Sequence, residues 1–219
     1  MRTDREWIKW IDSSGKNEPP PDYYCPDKKI MMEVMRIDNH AFENDKNKII
    51  NPTISRESKV VREIKNELNL SENVSVFANV DTELITYEDH NYRYYKKNFI
   101  RVIKKHKKKI QKYRENHEGY KLIFFLFDES SGVYGQMKNK KDGNQLIVGE
   151  MVQVQVHLHW VDQCFVEIIN NLNIDYFIWY SPFKIATGNQ LPKVCVYDVN
   201  NMSLDMIEYN ENCMISSEI

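Results

Sequence analysis

Residues 30–37 read Ile30-Met31-Met32-Glu33-Val34-Met35-Arg36-Ile37, a dense apolar run around one carboxylate. The run contains no glycine or proline, and its length suits a buried β-strand, although periodicity alone also allows a helix. A carboxylate among such neighbours costs free energy unless a cation lies beside it. Glu33 is therefore the first candidate for a functional residue.

Helical and strand patterns alternate on both sides of this run, which predicts an α/β or α+β fold with a mixed central sheet flanked by helices. The predicted helices are residues 4–11, 58–70, 161–172 and a long one running from a cap at Asp89 to about 118. The predicted strands are residues 30–37, 73–80, 120–127, 150–160, 174–180 and 194–199, with a hairpin tip at 139–144. We expect one globular domain over residues 1–219, with a polar tail at 210–219 that frays.

Composition narrows the class of protein. The longest strongly apolar run, 122–127, is far shorter than the ~20 residues that cross a bilayer, so no membrane partner is expected. The four cysteines lie far apart, and no secretory signal opens the chain. Both features predict a reduced, cytoplasmic protein. The oligomeric state is left open, and a homo-oligomer is compatible with the sequence.

The net charge of −2 hides a strong asymmetry along the chain. Residues 93–114 carry eleven Lys or Arg and no Asp or Glu, which leaves the rest of the chain at −13. Such segregation of charge affects the electrostatic potential of the surface and the partners that the protein can bind.

A second carboxylate, Asp22, follows Pro21 eleven positions before Glu33. A hairpin between them would place both carboxylates at one end of the sheet. Mg²⁺ is commonly held by one or two carboxylates and water, and it can activate a water near a phosphate. The pair is therefore a candidate catalytic Mg²⁺ site.

The order of Glu6 on a helix, then Pro21-Asp22, then Glu33-Val34-Met35 resembles the PD-(D/E)xK nuclease superfamily. The resemblance implies a restriction-endonuclease-like core, with Asp22 and Glu33 as metal ligands and Glu6 as an auxiliary catalytic ligand. It covers about thirty residues directly, and the motif is degenerate. Met35 occupies the position at which the family carries a lysine that stabilises charge at the phosphate.

Several alternatives remain at this point. Pro26-Asp27 can be aligned in place of Pro21-Asp22, and Lys121 can be a migrated motif lysine. Glu33 can instead be a structural residue paired with Arg36 or with another basic residue at a strand edge. His40 is a candidate for acid–base chemistry or a turn residue.

The basic segment predicts a nucleic-acid contact. On a helix, Lys104, Lys108, Lys112 and Arg101 fall on one side, with Lys97, Lys105 and Lys109 nearby. Such a stripe can follow a phosphate backbone. Like charges four positions apart destabilise a helix, so a structural role does not account for this pattern and a binding role is favoured. The alternatives are a solvated face or neutralisation by acidic residues from elsewhere.

His157 and His159 project from one face of a predicted strand and can share a metal, with Asp162 or Cys164 as a third ligand. The simpler interpretation is a polar sheet face that continues Gln153 and Gln155. No GxSxG, GxGxxG or phosphate-binding loop is present.

Three functions follow from these patterns. The leading hypothesis is a Mg²⁺-dependent phosphodiesterase of the nuclease type that acts on nucleic acid. The alternative is a noncatalytic module with the same fold that binds nucleic acid or protein. The third is a metal-dependent hydrolase built on His157 and His159.

Overall fold

The structure is a computed structural model that describes part of the chain. The described residues are 6–14, 21–39, 41–42, 49–50, 52–70, 74, 76, 90–137, 154–184, 191–201 and 205–218, and within 6–7, 41–42, 49–50 and 52–59 only the backbone is described. The predicted strand at 73–80 falls almost entirely outside this set. The predicted hairpin tip at 139–144 and His40 also lie outside it.

Helices and strands alternate in the described residues, together with short 3-10 turns. The α-helices are α1 (Pro52–Glu67), α2 (Tyr92–Lys107), α3 (Ile110–Asn116) and α4 (Gln163–Asn170). The strands are β1 (Ile11–Asp12), β2 (Tyr23–Cys25), β3 (Ile30–Ile37), β4 (Ala41–Phe42), β5 (Ile49–Ile50), β6 (Lys121–Asp128), β7 (Tyr134–Met137), β8 (Val154–Val156), β9 (Tyr176–Tyr180), β10 (Val194–Asp198) and β11 (Met214–Ser216).

Among the described residues, the main sheet has six strands in the order β1-β2-β3-β6-β9-β10. Its three central strands, β3, β6 and β9, run parallel, and each outer pairing is antiparallel. Two smaller sheets join β11-β7-β8 and β4-β5. The predicted α/β class with a mixed sheet flanked by helices is confirmed.

The core forms where one face of the central strands meets α2 and α4. β3 and β6 alternate buried and partly buried residues, because successive side chains of a strand point to opposite faces. The buried side includes Met31, Phe124 and Trp179, which pack with Phe99 of α2 and Phe165 of α4 in one hydrophobic cluster. Full burial of such a side chain contributes about 1.5–3 kcal/mol. This packing holds α2 along β3.

The long helix predicted from Asp89 to 118 is interrupted. Asn91 caps α2 in place of Asp89, and its side chain accepts a hydrogen bond from the Tyr94 N–H at 3.0 Å. The helix ends at Lys107, and α3 begins at Ile110. The break falls in the densest part of the lysine run, where like charges three and four positions apart disfavour a continuous helix.

Both chain ends depart from expectation. The helix predicted at 4–11 is a 3-10 turn, Glu6–Lys9, followed by β1, which pairs with β2. The described part of the tail, 210–218, is held in place and is not frayed. β11 pairs with β7, and the Glu218 carboxylate accepts hydrogen bonds from Asn39, at 2.8 Å, and from Ser131.

Candidate functional site

Asp22 and Glu33 face each other at the end of the β2–β3 hairpin. Tyr23 pairs with Met32, and continuing that register by one residue places Asp22 opposite Glu33. The Asp22 Oδ2 accepts a hydrogen bond from the Val34 N–H at 2.8 Å. Burial raises the pKa of Asp22 above its ordinary value; the Val34 hydrogen bond opposes this shift and the neighbouring Glu33 charge adds to it. The structure thus brings together the two predicted carboxylates.

Glu33 is buried and already has partners from the basic segment. It is 2% exposed, and its Oε1 lies 2.6 Å from His106 Nδ1 and 3.6 Å from Lys109 Nζ. Burial raises the pKa of Glu33, but the hydrogen bond from His106, the Tyr113 hydroxyl and the Lys109 charge outweigh it, so the pKa lies below its ordinary value. The carboxylate is therefore stabilised in its ionised form by residues of the basic segment.

The predicted alternatives for this carboxylate are resolved by the same geometry. Arg36 points to the opposite face of β3 and pairs with Glu129 at 3.2 Å, so it is not the partner of Glu33. Met35 is buried on the same face as Glu33. Lys121 pairs in register with Ile30, three residues from Glu33 and so roughly 10 Å along the strand. The cation beside Glu33 is Lys109.

Asp27, the other aspartate of the nuclease-like pattern, does not join the pair. Asp27, the alternative to Asp22, is exposed and lies 3.5 Å from Lys9. Glu6 lies on the N-terminal 3-10 turn, and its side chain is outside the described part. Among described residues, no group of three or more His, Cys, Asp or Glu is arranged to hold a metal ion.

A groove of about 900 Å³ opens between α2 and the edge formed by β2 and β3. Residues of both charge signs line it. Glu33 is not among the lining residues and lies behind His106. The lining residues include the cationic or titratable Arg36, Arg101, Lys105 and His106, the acidic Asp22, Asp38 and Glu129, and the aromatic Tyr23.

The predicted nucleic-acid-binding residues lie exposed along α2, the following turn and α3. We call them the basic face: Arg101, Lys104, Lys105, Lys108 and Lys112. The first four, with Lys97 and Ile100, line a shallow depression of about 460 Å³. Other cations of the basic segment have acidic partners: Lys96 contacts Glu211 at 2.7 Å, Lys109 contacts Glu33 at 3.6 Å and Arg114 contacts Asp175 at 3.0 Å.

The interpretation of His157 and His159 as a polar sheet face is wrong. Strand β8 ends at Val156, so the alternation stops, and both imidazoles are buried, at 6% and 7% exposure. His157 Nε2 lies 2.7 Å from the Asp162 carboxylate, whereas His159 Nδ1 bonds the Tyr197 hydroxyl at 2.8 Å. Burial lowers the pKa of both histidines. They have separate partners and do not converge on a common metal position.

A second buried polar cluster is centred on Asp128 at the end of β6, a residue that the sequence marked only as polar after a buried strand. Its Oδ2 accepts hydrogen bonds from Tyr95, Trp179 and Ser181 at 2.6, 3.2 and 3.1 Å. The Lys184 ammonium lies 3.5 Å from the same oxygen and donates to the Gly132 carbonyl at 3.0 Å. The adjoining space is about 10 Å³, which is the size of one water. An Asp at the end of an apolar strand was the available sequence signal.

The role of His106 was also missed. The sequence placed it on the inward stripe of the helix, between Val102 and Ile110, among residues expected to be apolar. A titratable residue in such a stripe signals a buried partner, but the partner itself is 73 positions away.

No family model, curated protein or solved structure matches the chain. No described helix has the length and apolar character needed to cross a membrane.

Proposed function

We propose that this protein binds nucleic acid through the basic face, as a noncatalytic binding module. The observation that carries the proposal is a stripe of five exposed cations with no Asp or Glu from 93 to 114. A polyanion gains affinity from such a stripe by releasing condensed counterions. The acidic remainder of the chain would repel the same polymer elsewhere, which favours one orientation.

The surroundings of Glu33 support binding over metal-dependent chemistry. Its carboxylate is buried, and one oxygen is held by His106 and Lys109. A metal ion would have to replace these partners or share the carboxylate with them. The His106 and Lys109 contacts also tie the basic segment to β3, so the carboxylate helps to hold the basic face in place.

Charge reversal on the basic face tests this proposal. The double variant Lys104→Glu/Lys108→Glu is expected to weaken binding of a fluorescein-labelled DNA or RNA strand by about 10-fold or more at low salt, because each lost phosphate contact removes counterion release. Fluorescence anisotropy measures the affinity. Both side chains are exposed, so the fold should be unaffected.

The matched control is Arg62→Glu/Lys193→Glu, which changes the net charge equally at exposed positions outside the basic face. It should bind nearly as the wild type does. Equal loss of affinity in both double variants would show that only net charge matters, and absence of binding by the wild type would refute the proposal.

A metal-dependent nuclease is the second candidate, and the opposition of Asp22 and Glu33 favours it. Mutual repulsion of two carboxylates, which contributes to the raised pKa of Asp22, is a feature of sites that attract cations. Asp22 and Glu33 would hold Mg²⁺, which supplies an activated water and charge stabilisation at a phosphate. Lys109 would stand in for the lysine that the PD-(D/E)xK pattern lacks at Met35.

Cleavage assays separate the two candidates. With MgCl₂ or MnCl₂ and labelled DNA or RNA, the nuclease candidate predicts cleavage that Glu33→Gln reduces by about 100-fold or more. Glu129→Gln, at an exposed residue of the same groove, is the control. Tight binding without cleavage of either substrate would contradict the nuclease and support the noncatalytic binding module.

A further inference from the structure

Strand β10 forms one edge of the main sheet. Its inner side pairs with β9, and among the described strands none pairs with its outer side. The Lys193 carbonyl accepts a hydrogen bond from a residue that flanks β9, and the Val199 N–H donates one to another. Backbone groups alternate in direction along an antiparallel strand, so those of Val194, Val196 and Asp198 point outward. Such an edge is a template for pairing with another strand.

The side chains at this edge are apolar and exposed. Val194 is 51% exposed and Val196 is 64% exposed, although both belong to a regular strand. They lie on the same sheet face as Tyr180 and Ile178, their partners on β9, which are themselves only partly buried. Sheet edges are commonly protected by charged residues, proline or bulges, and β10 contains none of these before its last residue, Asp198.

The sequence of the edge is self-complementary. Valine stands on both sides of Cys195, so a two-fold axis through Cys195 places Val194 of one copy opposite Val196 of the other. Both valines direct their backbone groups outward, so each opposed pair can exchange two hydrogen bonds. Antiparallel pairing also brings Lys193, just before the strand, to the end at which the other copy carries Asp198. The edge therefore fits a second copy of itself in side chains, hydrogen bonds and charge.

We propose that the protein forms a symmetric dimer in which two β10 strands pair antiparallel about Cys195 and join the two main sheets. In the order of the sheet, β10 lies three strands away from β3, along which α2 packs. The basic face of each copy therefore stays outside the contact. Dimer formation can be measured separately from nucleic-acid binding.

A lysine at the edge tests the pairing. Sedimentation equilibrium should show the wild type passing from one copy to two as its concentration rises. Val196→Lys is expected to weaken the dimer by about 10-fold or more, because it removes both cross-strand valine contacts. The matched control is Leu68→Lys on α1, at a side chain that is 65% exposed, and it should associate as the wild type does. Both positions are exposed, so neither lysine should disturb the fold.

Oxidation locates the two-fold axis. Directly opposed residues that do not exchange hydrogen bonds have Cα atoms about 4.5 Å apart, which is within the range of disulfides. Diamide should therefore link two wild-type copies through Cys195, as a dimer band on a non-reducing gel. The reaction is run at alkaline pH, since burial raises the pKa of Cys195 to about 11. Cys195→Ser should abolish the link, and Cys164→Ser, which changes the other partly exposed thiol, should keep it.

Each result decides a separate point. A monomer at every concentration up to the solubility limit overturns the dimer, and so does a dimer that Val196→Lys leaves intact. A dimer that diamide does not link through Cys195 overturns pairing about that residue. None of these results bears on nucleic-acid binding, which the anisotropy measurements decide.

Discussion

Replacing Asp128 with alanine is expected to lower the free energy of unfolding by about 3–5 kcal/mol. The carboxylate is fully buried and accepts hydrogen bonds from Tyr95, Trp179 and Ser181, with Ser130 donating to its other oxygen. Its removal leaves these buried donors without their acceptor, and each such loss is costly.

The same substitution leaves the buried Lys184 ammonium without its carboxylate partner. That group is 7% exposed and lies 3.5 Å from Asp128. Burial lowers the pKa of Lys184, and the Asp128 charge opposes this shift. Without Asp128 the ammonium remains buried with only the Gly132 carbonyl as a described hydrogen-bond acceptor. Loss of a proton by Lys184 would relieve part of this penalty.

Urea unfolding followed by circular dichroism measures the effect, and Glu129→Ala is the matched control. Glu129 is the next residue, is exposed, and makes a surface ion pair with Arg36 at 3.2 Å. Removing it should cost less than about 1 kcal/mol. A loss below about 1 kcal/mol for Asp128→Ala would contradict a structural role for the cluster.

The affinity for single-stranded nucleic acid should fall by about 50- to 100-fold when salt rises from about 50 to about 200 mM. The reason is that four or five phosphate contacts on the basic face release counterions. The logarithm of the affinity then falls with the logarithm of the salt concentration with a slope of about −0.7 per contact. Anisotropy titrations at several salt concentrations give the slope.

A charge-reversal variant tests whether the basic face makes these phosphate contacts. Lys104→Glu/Lys108→Glu removes two contacts and should make the slope less steep by about 1.4. The control Arg62→Glu/Lys193→Glu should keep the wild-type slope. A slope near zero in the wild type would show that phosphate contacts do not carry the binding, whatever the affinity.

Much of the fold could be predicted from local patterns. β3, β6 and β9 were recognised because their apolar runs have the length of buried strands, and α2 because its inward residues recur every three to four positions. The segment boundaries were less accurate. The break between α2 and α3 depends on a balance between lysine repulsion and packing that periodicity does not report.

The candidate site was predicted only in part. Asp22 and Glu33 were paired because a hairpin connects them over eleven positions, which is a local constraint. The partners of Glu33 could not be chosen from the sequence, since Arg36 pairs with Glu129 and His106 is 73 positions away. His157 and His159 were misplaced because the strand ends just before them.

The sequence by itself determined the mixed α/β architecture, the apolar setting of Glu33 and the run of cations from 93 to 114. These are properties of neighbouring residues, and they follow from side-chain periodicity and charge. Only the tertiary structure decided that His106 and Lys109 contact Glu33, that Asp128 and Lys184 form a buried cluster, and that the basic face adjoins a groove of mixed charge. Ionic and hydrogen-bond partners are chosen by proximity in space, and parallel strands joined through helices bring together residues that lie far apart in the chain.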